Sequence, residues 1–229
     1  LIILEGTIRP GKSEIIKIPI NNPKKYFNIK LSESVIDHSI SSSGVFKNVK
    51  LNKNYTLITL LSHDIDTVKD DVYKNSDNYV TETVFKLAGG KFSSQTGSFE
   101  NGLMMLHDFC KKHDIDTSRI KITDASGVSK NNLVVADFMT DFLYKTKGFL
   151  EPNLPTAGEG TLSNRMLYMK GFLHAKTGTL SNISAIAGYI STLKGQNYVF
   201  CIMINDPNST PGDKKMLEEY LLRAIYSKG

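Results

Sequence analysis

The chain has 229 residues, a formal net charge of +5, and 40% hydrophobic against 22% charged residues. That is ordinary globular composition, which excludes a disordered or collagen-like chain, and the length fits one large domain or two small ones. The longest uninterrupted apolar run, Tyr198 to Ile204, is far short of the ~20 residues a membrane-spanning helix needs. The basic residues are mostly lysines, scattered without aromatic interleaving, which reads as a solvated surface and not as a nucleic-acid footprint.

In chain order, Leu1 to Ile20 alternates apolar and polar residues about Arg9-Pro10-Gly11, the pattern of a hairpin. Pro23 suits the first turn of a helix that carries Tyr26, Ile29, Val35 and Ile36. Val45 to Leu51 is strand-like, and Thr56 to Lys74 has helical spacing in Leu57, Leu60, Leu61, Ile65 and Val68. The turn-forming run Asn75-Ser76-Asp77-Asn78 predicts the start of a helix over Tyr79 to Ala88, with Val80, Val84 and Leu87 on one face and Gly89-Gly90 as its stop. Helices follow over Asn101 to His113 and Leu133 to Tyr144, with a short strand at Ile120 to Ile122 between them. Three consecutive strands are predicted over Phe172 to Leu180, Ile183 to Leu193 and Tyr198 to Asn205. A last helix, Asp213 to Tyr226, carries Leu217, Tyr220, Leu221, Ala224 and Ile225 on its apolar face. Helices together with an antiparallel meander make the fold class α+β, an antiparallel sheet flanked by helices.

Two short motifs carry chemistry. Lys176-Thr177-Gly178-Thr179 lies on the first strand of the meander. Its lysine supplies a fixed positive charge, its threonines can bond a carboxylate, and Gly178 lets a substrate backbone approach. The Thr179 amide could serve a developing oxyanion. Taken alone, such a motif is more often a kinked, exposed strand. Ser76-Asp77-Asn78 reads alone as a helix cap, or as a hydroxyl (Ser76) and an amide (Asn78) aimed into a cleft. Together, in this order and context, the two match the serine acyl-transferase set S-x-x-K, S-D-N and K-T-G, of which the first member is missing. Ser118-x-x-Lys121 and Ser191-x-x-Lys194 fall in strand-like segments, where Ser and its i+3 Lys point to opposite faces. Cys110 and Cys201 match no redox or zinc spacing and read as buried free thiols, with one disulfide open in an oxidising compartment. The five histidines form no close metal pair, and no phosphate-binding glycine motif occurs.

The linked run Asn75-Ser76-Asp77-Asn78 with Thr81-Glu82-Thr83-Val84-Phe85, Asn101-Gly102, Asp124-Ala125-Ser126-Gly127-Val128-Ser129, Leu154-Pro155-Thr156-Ala157-Gly158, Gly160-Thr161-Leu162, Ala175-Lys176-Thr177-Gly178-Thr179-Leu180 and Gly188-Tyr189 resembles the penicillin-binding protein 4 group. Its members are class C, low-molecular-mass D-alanyl-D-alanine carboxypeptidases and endopeptidases. The resemblance runs from about Gly6 to the terminal helix and departs from the family at Ala125, where the group usually has Gly. It implies an incomplete β-lactamase/penicillin-binding transpeptidase-like fold. Residues 1–21 would be a remnant of an inserted domain, and 22–229 the C-terminal part of the catalytic domain. It also implies a serine peptidase of the bacterial periplasm or extracytoplasmic envelope, with peptidoglycan stem peptides and β-lactams as ligands and no metal or cofactor. The nucleophile and its lysine would lie in a missing N-terminal half, so that residues 1–229 alone would be inactive. Ser76 would relay a proton, Asn78 would hold a substrate amide beside Lys176, and Thr177 and Thr179 would take the terminal carboxylate. The alternatives are a β-lactamase or esterase of the same superfamily, a non-catalytic peptidoglycan-binding pseudoenzyme, and a structural α+β domain with chance motifs.

Overall fold

The computed structural model describes residues 20–37 and 62–228. The expected hairpin (all but Ile20), the strand at Val45 to Leu51 and the first residues of the Thr56 to Lys74 stretch lie outside these residues. The chain divides into Leu1–Leu60 and Leu61–Gly229. In the first unit, α1 (Pro23–Asp37) begins at the expected proline. The Asn22 side chain accepts the Lys25 amide at 2.9 Å. Tyr26, Ile29 and Ile36 of its apolar stripe are exposed.

The second unit contains α2 (Ile65–Tyr73), α3 (Asn78–Ser93), α4 (Phe99–Lys112) and α5 (Ala136–Leu150). A three-stranded antiparallel sheet follows, in the order β1 (Leu173–Thr179), β2 (Ile183–Ser191), β3 (Asn197–Asn205), and α6 (Pro211–Lys228) closes the chain. The α+β class and the meander stand where the sequence patterning puts them, within a residue or two. The helices differ in informative ways. Gly89-Gly90 does not stop α3; the helix runs through both glycines to Ser94, a left-handed C-cap. A Cβ on Gly89 would lie 2.2 Å from the Gly102 nitrogen of α4, so the glycines let two helices cross in close contact. Val84 and Leu87 are consequently left exposed. Helix α4 begins two residues ahead of the expected Asn101 because Ser98 caps it, accepting the Asn101 amide at 3.2 Å. Leu133 is not helical. It pairs with Lys121 in an isolated antiparallel bridge, which is all that forms of the strand expected at Ile120 to Ile122. Helix α5 then continues past Tyr144, because Leu143, Thr146 and Leu150 bury one continuous stripe.

Alternation along the strands separates the two faces of the sheet. Leu173, Ala175, Ile186, Ile190 and Phe200 pack with Leu162, Met166, Met169 and Leu222 of α6. Tyr189, with Ala187 and Val199, packs with Leu143 and Leu150 of α5 and with Leu154. A side chain such as Leu222, fully buried, contributes about 2 kcal/mol. The orientation of α6 departs from the expected apolar face: Leu217, Tyr220 and Leu221 are exposed, while Lys214, Glu218 and Leu222 are buried. Polar partners set this rotation. Glu218 accepts from Arg165 at 2.9 Å and from Ser184 at 2.6 Å, and the Lys214 amine donates to the Ser209 carbonyl at 2.8 Å. Cys110 and Cys201 are both free thiols.

Candidate active site

The turn between α2 and α3 carries Ser76. Backbone bonds from Asn75 to the Asp70 carbonyl and from Asp77 to the Asp71 carbonyl, both 2.9 Å, fold it tightly. Asp77 caps α3, accepting the Val80 amide at 3.0 Å. Ser76, between these anchored neighbours, is held at φ 52°, a left-handed conformation that costs a non-glycine residue about 1–2 kcal/mol. Asn78 is the first residue of α3.

Strand β1 brings Lys176 to this turn. The Lys176 amine donates to the Ser76 hydroxyl, and it also donates to the Thr177 carbonyl at 3.1 Å. Burial pushes the amine below the usual lysine range. None of the ion pairs among the described residues includes Lys176. The two sequence motifs, distant in the chain, are thus one hydrogen-bonded pair in the fold.

The outer edge of β1 is half covered. The Ala175 amide donates outward to the Pro155 carbonyl at 3.0 Å, and Thr156 bridges His174. On the inner side, Phe172 and Leu180 bond to residues of the β2 strand or its entry. Backbone groups alternate along an antiparallel strand, so the amides of Thr177 and Thr179, in phase with Ala175, face the outer edge beyond Pro155. Gly178 has open space where a Cβ would stand, and Thr179 is exposed. The Thr177 hydroxyl donates to the hydroxyl of Thr161 at 2.8 Å.

A third segment, the Asp124 to Ser129 loop, closes the arrangement. Glu82 of α3 accepts the amides of Ala125 and Ser126 at 2.7 and 3.0 Å. Asp124 accepts from the Gly127 and Ser129 amides at 2.6 and 2.5 Å and from Asn132 at 3.0 Å. Burial opposes ionisation of Asp124, but Asn132 and the backbone amides outweigh it and hold the carboxyl below its usual range. A cavity of about 480 Å³ results. Ser76, Asn78, Ser126, Lys176 and Thr177 contribute polar groups to its lining, and Tyr73, Phe109, Phe142, Phe149, Leu150 and Leu154 form an apolar wall. Asn78 and Ser126 also line a second, more open concavity with Tyr79, Glu82 and Lys86.

Of the residues singled out in the sequence, Ser76, Asn78, Lys176 and Thr177 line the first cavity, with Gly178 and Thr179 continuing the strand beyond it. Thr161, Glu82 and Ser126 had been given no role. All three belong to the linked motifs, Glu82 to the Thr81 to Phe85 segment, but the motifs alone assign them no contact. The two other Ser-x-x-Lys matches lie elsewhere. Ser118 sits in a turn, not in a strand, and donates to Asp116, while Ser191 donates to Asn197; neither lines the cavity.

A D-alanyl-D-alanine carboxypeptidase from an Actinomadura strain is 33% identical over 151 residues, which cover 60% of this chain and 28% of that protein. The chain therefore spans less than a third of that relative's length. Among solved structures, penicillin binding protein 4 from Haemophilus influenzae, complexed with a β-lactam, aligns with a TM-score of 0.78 at 23% identity. The alignment covers 92% of this chain and 53% of that one. The TLA-1 extended-spectrum β-lactamase aligns with a TM-score of 0.53 at 16% identity, over 71% of this chain and 63% of that one. The fold is thus of the β-lactamase and penicillin-binding class. The model of the D-Ala-D-Ala carboxypeptidase 3 (S13) family matches residues 2–222, and the chain belongs to that family.

Proposed function

We propose that residues 1–229 form part of a serine D-alanyl-D-alanine carboxypeptidase/endopeptidase that acts on peptidoglycan stem peptides through an acyl-enzyme. The observation that carries the reading is the half-buried Lys176–Ser76 pair beside a strand edge with an outward Thr179 amide. The attacking serine and its lysine come from an S-x-x-K helix in an N-terminal half outside this sequence. The apolar wall of Phe109, Phe142, Phe149 and Leu150 is suited to pack such a helix against the polar lining. On this reading residues 1–21 are a remnant of an inserted domain and 22–229 the C-terminal part of the catalytic domain.

The chemistry proceeds in two transfers. The serine oxygen attacks the penultimate carbonyl carbon, and its proton passes to the lysine of its own motif. The Thr179 amide stabilises the oxyanion by about 3 kcal/mol. The C–N bond breaks, and Ser76 gives its proton to the departing D-alanine amine and is recharged through Lys176. The depressed basicity of Lys176 suits it to exchange protons with a hydroxyl. Asn78 holds a substrate amide, and Thr177 and Thr179 take the terminal carboxylate. Water then cleaves the ester. A β-lactam acylates the same serine, and its ring amide is the bond that breaks. The protein works in the periplasm or extracytoplasmic envelope.

Fluorescent penicillin, read on a denaturing gel, tests this. The full-length natural protein should carry covalent label, and residues 1–229 alone should not. Ser76→Ala and Lys176→Met in the full-length protein should label at least 100-fold more slowly, the scale of general acid–base loss. A full-length protein that never labels would overturn the reading in favour of a pseudoenzyme, and label on the short chain would place the nucleophile within it.

A further inference from the structure

The Thr177 hydroxyl, expected to receive a substrate carboxylate, is already bonded to a second hydroxyl, that of Thr161, at 2.8 Å. Thr161 lies in a tight turn. The Gly158 amide bonds the Leu162 carbonyl at 3.0 Å, the Leu162 amide bonds the Glu159 carbonyl at 2.8 Å, and the Leu162 side chain is fully buried. Gly160, at φ +49°, presses this turn onto the chain just ahead of Ser76: a Cβ there would stand 2.5 Å from the Lys74 carbonyl oxygen. Thr161 therefore has a fixed backbone on one side and a polar partner in the Lys-Thr-Gly strand on the other.

We infer that Thr161 is a positioning residue for free-carboxylate recognition, acting through Thr177; the inference rests on the proposed peptidase reading. Each hydroxyl has one proton and can accept as well as donate. At 2.8 Å either hydroxyl can donate to the other. An anionic carboxylate at Thr177 requires the Thr177 proton. The ligand then selects one order: Thr161 donates to the Thr177 oxygen, and Thr177 donates to the carboxylate. The relay keeps both hydroxyls satisfied and polarises the donating O–H. With no hydroxyl at position 161, Thr177 must be turned toward the ligand without that support. Only ligands ending in a free carboxylate use the relay, so Thr161 contributes to exopeptidase preference and not to acyl transfer itself.

The test uses the full-length protein with Thr161→Val, which keeps the shape, and Thr161→Ser, which keeps the hydroxyl. Each is assayed on a peptide ending in D-Ala-D-Ala and on the same peptide as its C-terminal amide. For Thr161→Val, kcat/KM on the free acid should fall about tenfold, mainly through KM, the scale of one hydrogen bond to a charged group. The amide should be affected less than twofold, and Thr161→Ser should restore the acid-over-amide preference. An unchanged preference in Thr161→Val, with the wild type active, overturns the inference alone. A parallel loss on both peptides, or a loss in kcat, overturns it in favour of a structural role for the turn. A wild type that turns over neither peptide overturns the peptidase reading and this inference with it.

Discussion

Glu218 offers the sharpest test of what holds the sheet to its neighbours. It is fully buried, and its two oxygens serve two different elements: Arg165 at 2.9 Å and Ser184 of β2 at 2.6 Å. Glu218→Ala strips both at once. Removing one partner of a buried ion pair costs about 3–5 kcal/mol, because the remaining charge stays desolvated. The Arg165 side chain is 16% exposed and keeps its bond to the Lys215 carbonyl at 3.1 Å, which argues for the lower end. The buried Ser184 hydroxyl loses its acceptor, adding about 1 kcal/mol. The expected loss is about 4 kcal/mol, or a fall in Tm of about 10 °C.

Urea and thermal unfolding followed by circular dichroism would measure it. The double variant Arg165→Met, Glu218→Leu replaces the charges with apolar volume and should recover at least half of the loss, because no orphaned charge remains. The reasoning is refuted if Glu218→Ala unfolds within 1 kcal/mol of the wild type, or if the double variant is as unstable as the single one.

Three further outcomes are expected. Lys176→Met should be more stable than the wild type at neutral pH. The folded-state pKa of Lys176 is depressed by burial, so the wild type gains stability as pH rises from that value toward 10.5, and unfolding titrations should show the gap narrowing over that window. Ser76→Gly should raise stability by about 1 kcal/mol by relieving the left-handed backbone, while penicillin labelling of the full-length protein is lost; a destabilised variant would contradict the strain at that position. Glu82→Ala should cost about 2 kcal/mol by leaving the Ala125 and Ser126 amides without an acceptor, whereas Glu82→Gln, which keeps an acceptor oxygen, should lose less than half as much by chemical denaturation.

Much of the scaffold could be read from the chain because its signals are local. The meander follows from strand alternation broken by the turn between β2 and β3, and Ser76 precedes a helix because Asp77 caps it. What escaped reading depends on contacts between distant segments. Gly89-Gly90 has the composition of a helix stop and the function of a crossing point, which only the position of Gly102 decides. Helix α6 carries a plausible apolar stripe through Leu217 and Leu221, yet it turns Glu218 inward because Arg165 and Ser184 wait there. Helical periodicity counts apolar residues and cannot register a buried charge that has partners. The same holds for Glu82 and Thr161, whose partners lie across the fold.

The candidate site concentrates two unfavourable features in one place: a non-glycine residue in the left-handed region and a half-buried ammonium with no carboxylate partner among the described ion pairs. Neither lowers the energy of the fold. A carboxylate beside Lys176 would ease its burial, but it would also raise the affinity of the amine for its proton and make exchange with Ser76 slower. Glycine at position 76 would ease the turn and remove the hydroxyl. The surrounding polar groups, by contrast, are thoroughly paired: the Asp124 loop through Asn132, Gly127 and Ser129, and the Glu218 cluster through Arg165 and Ser184. No buried side-chain nitrogen or oxygen among the described residues is left without a partner. Ser94, Asp114 and Met166 also adopt left-handed backbone, but at Ser76 it meets a half-buried ammonium, the combination expected where a fold gives up stability locally to keep a proton mobile.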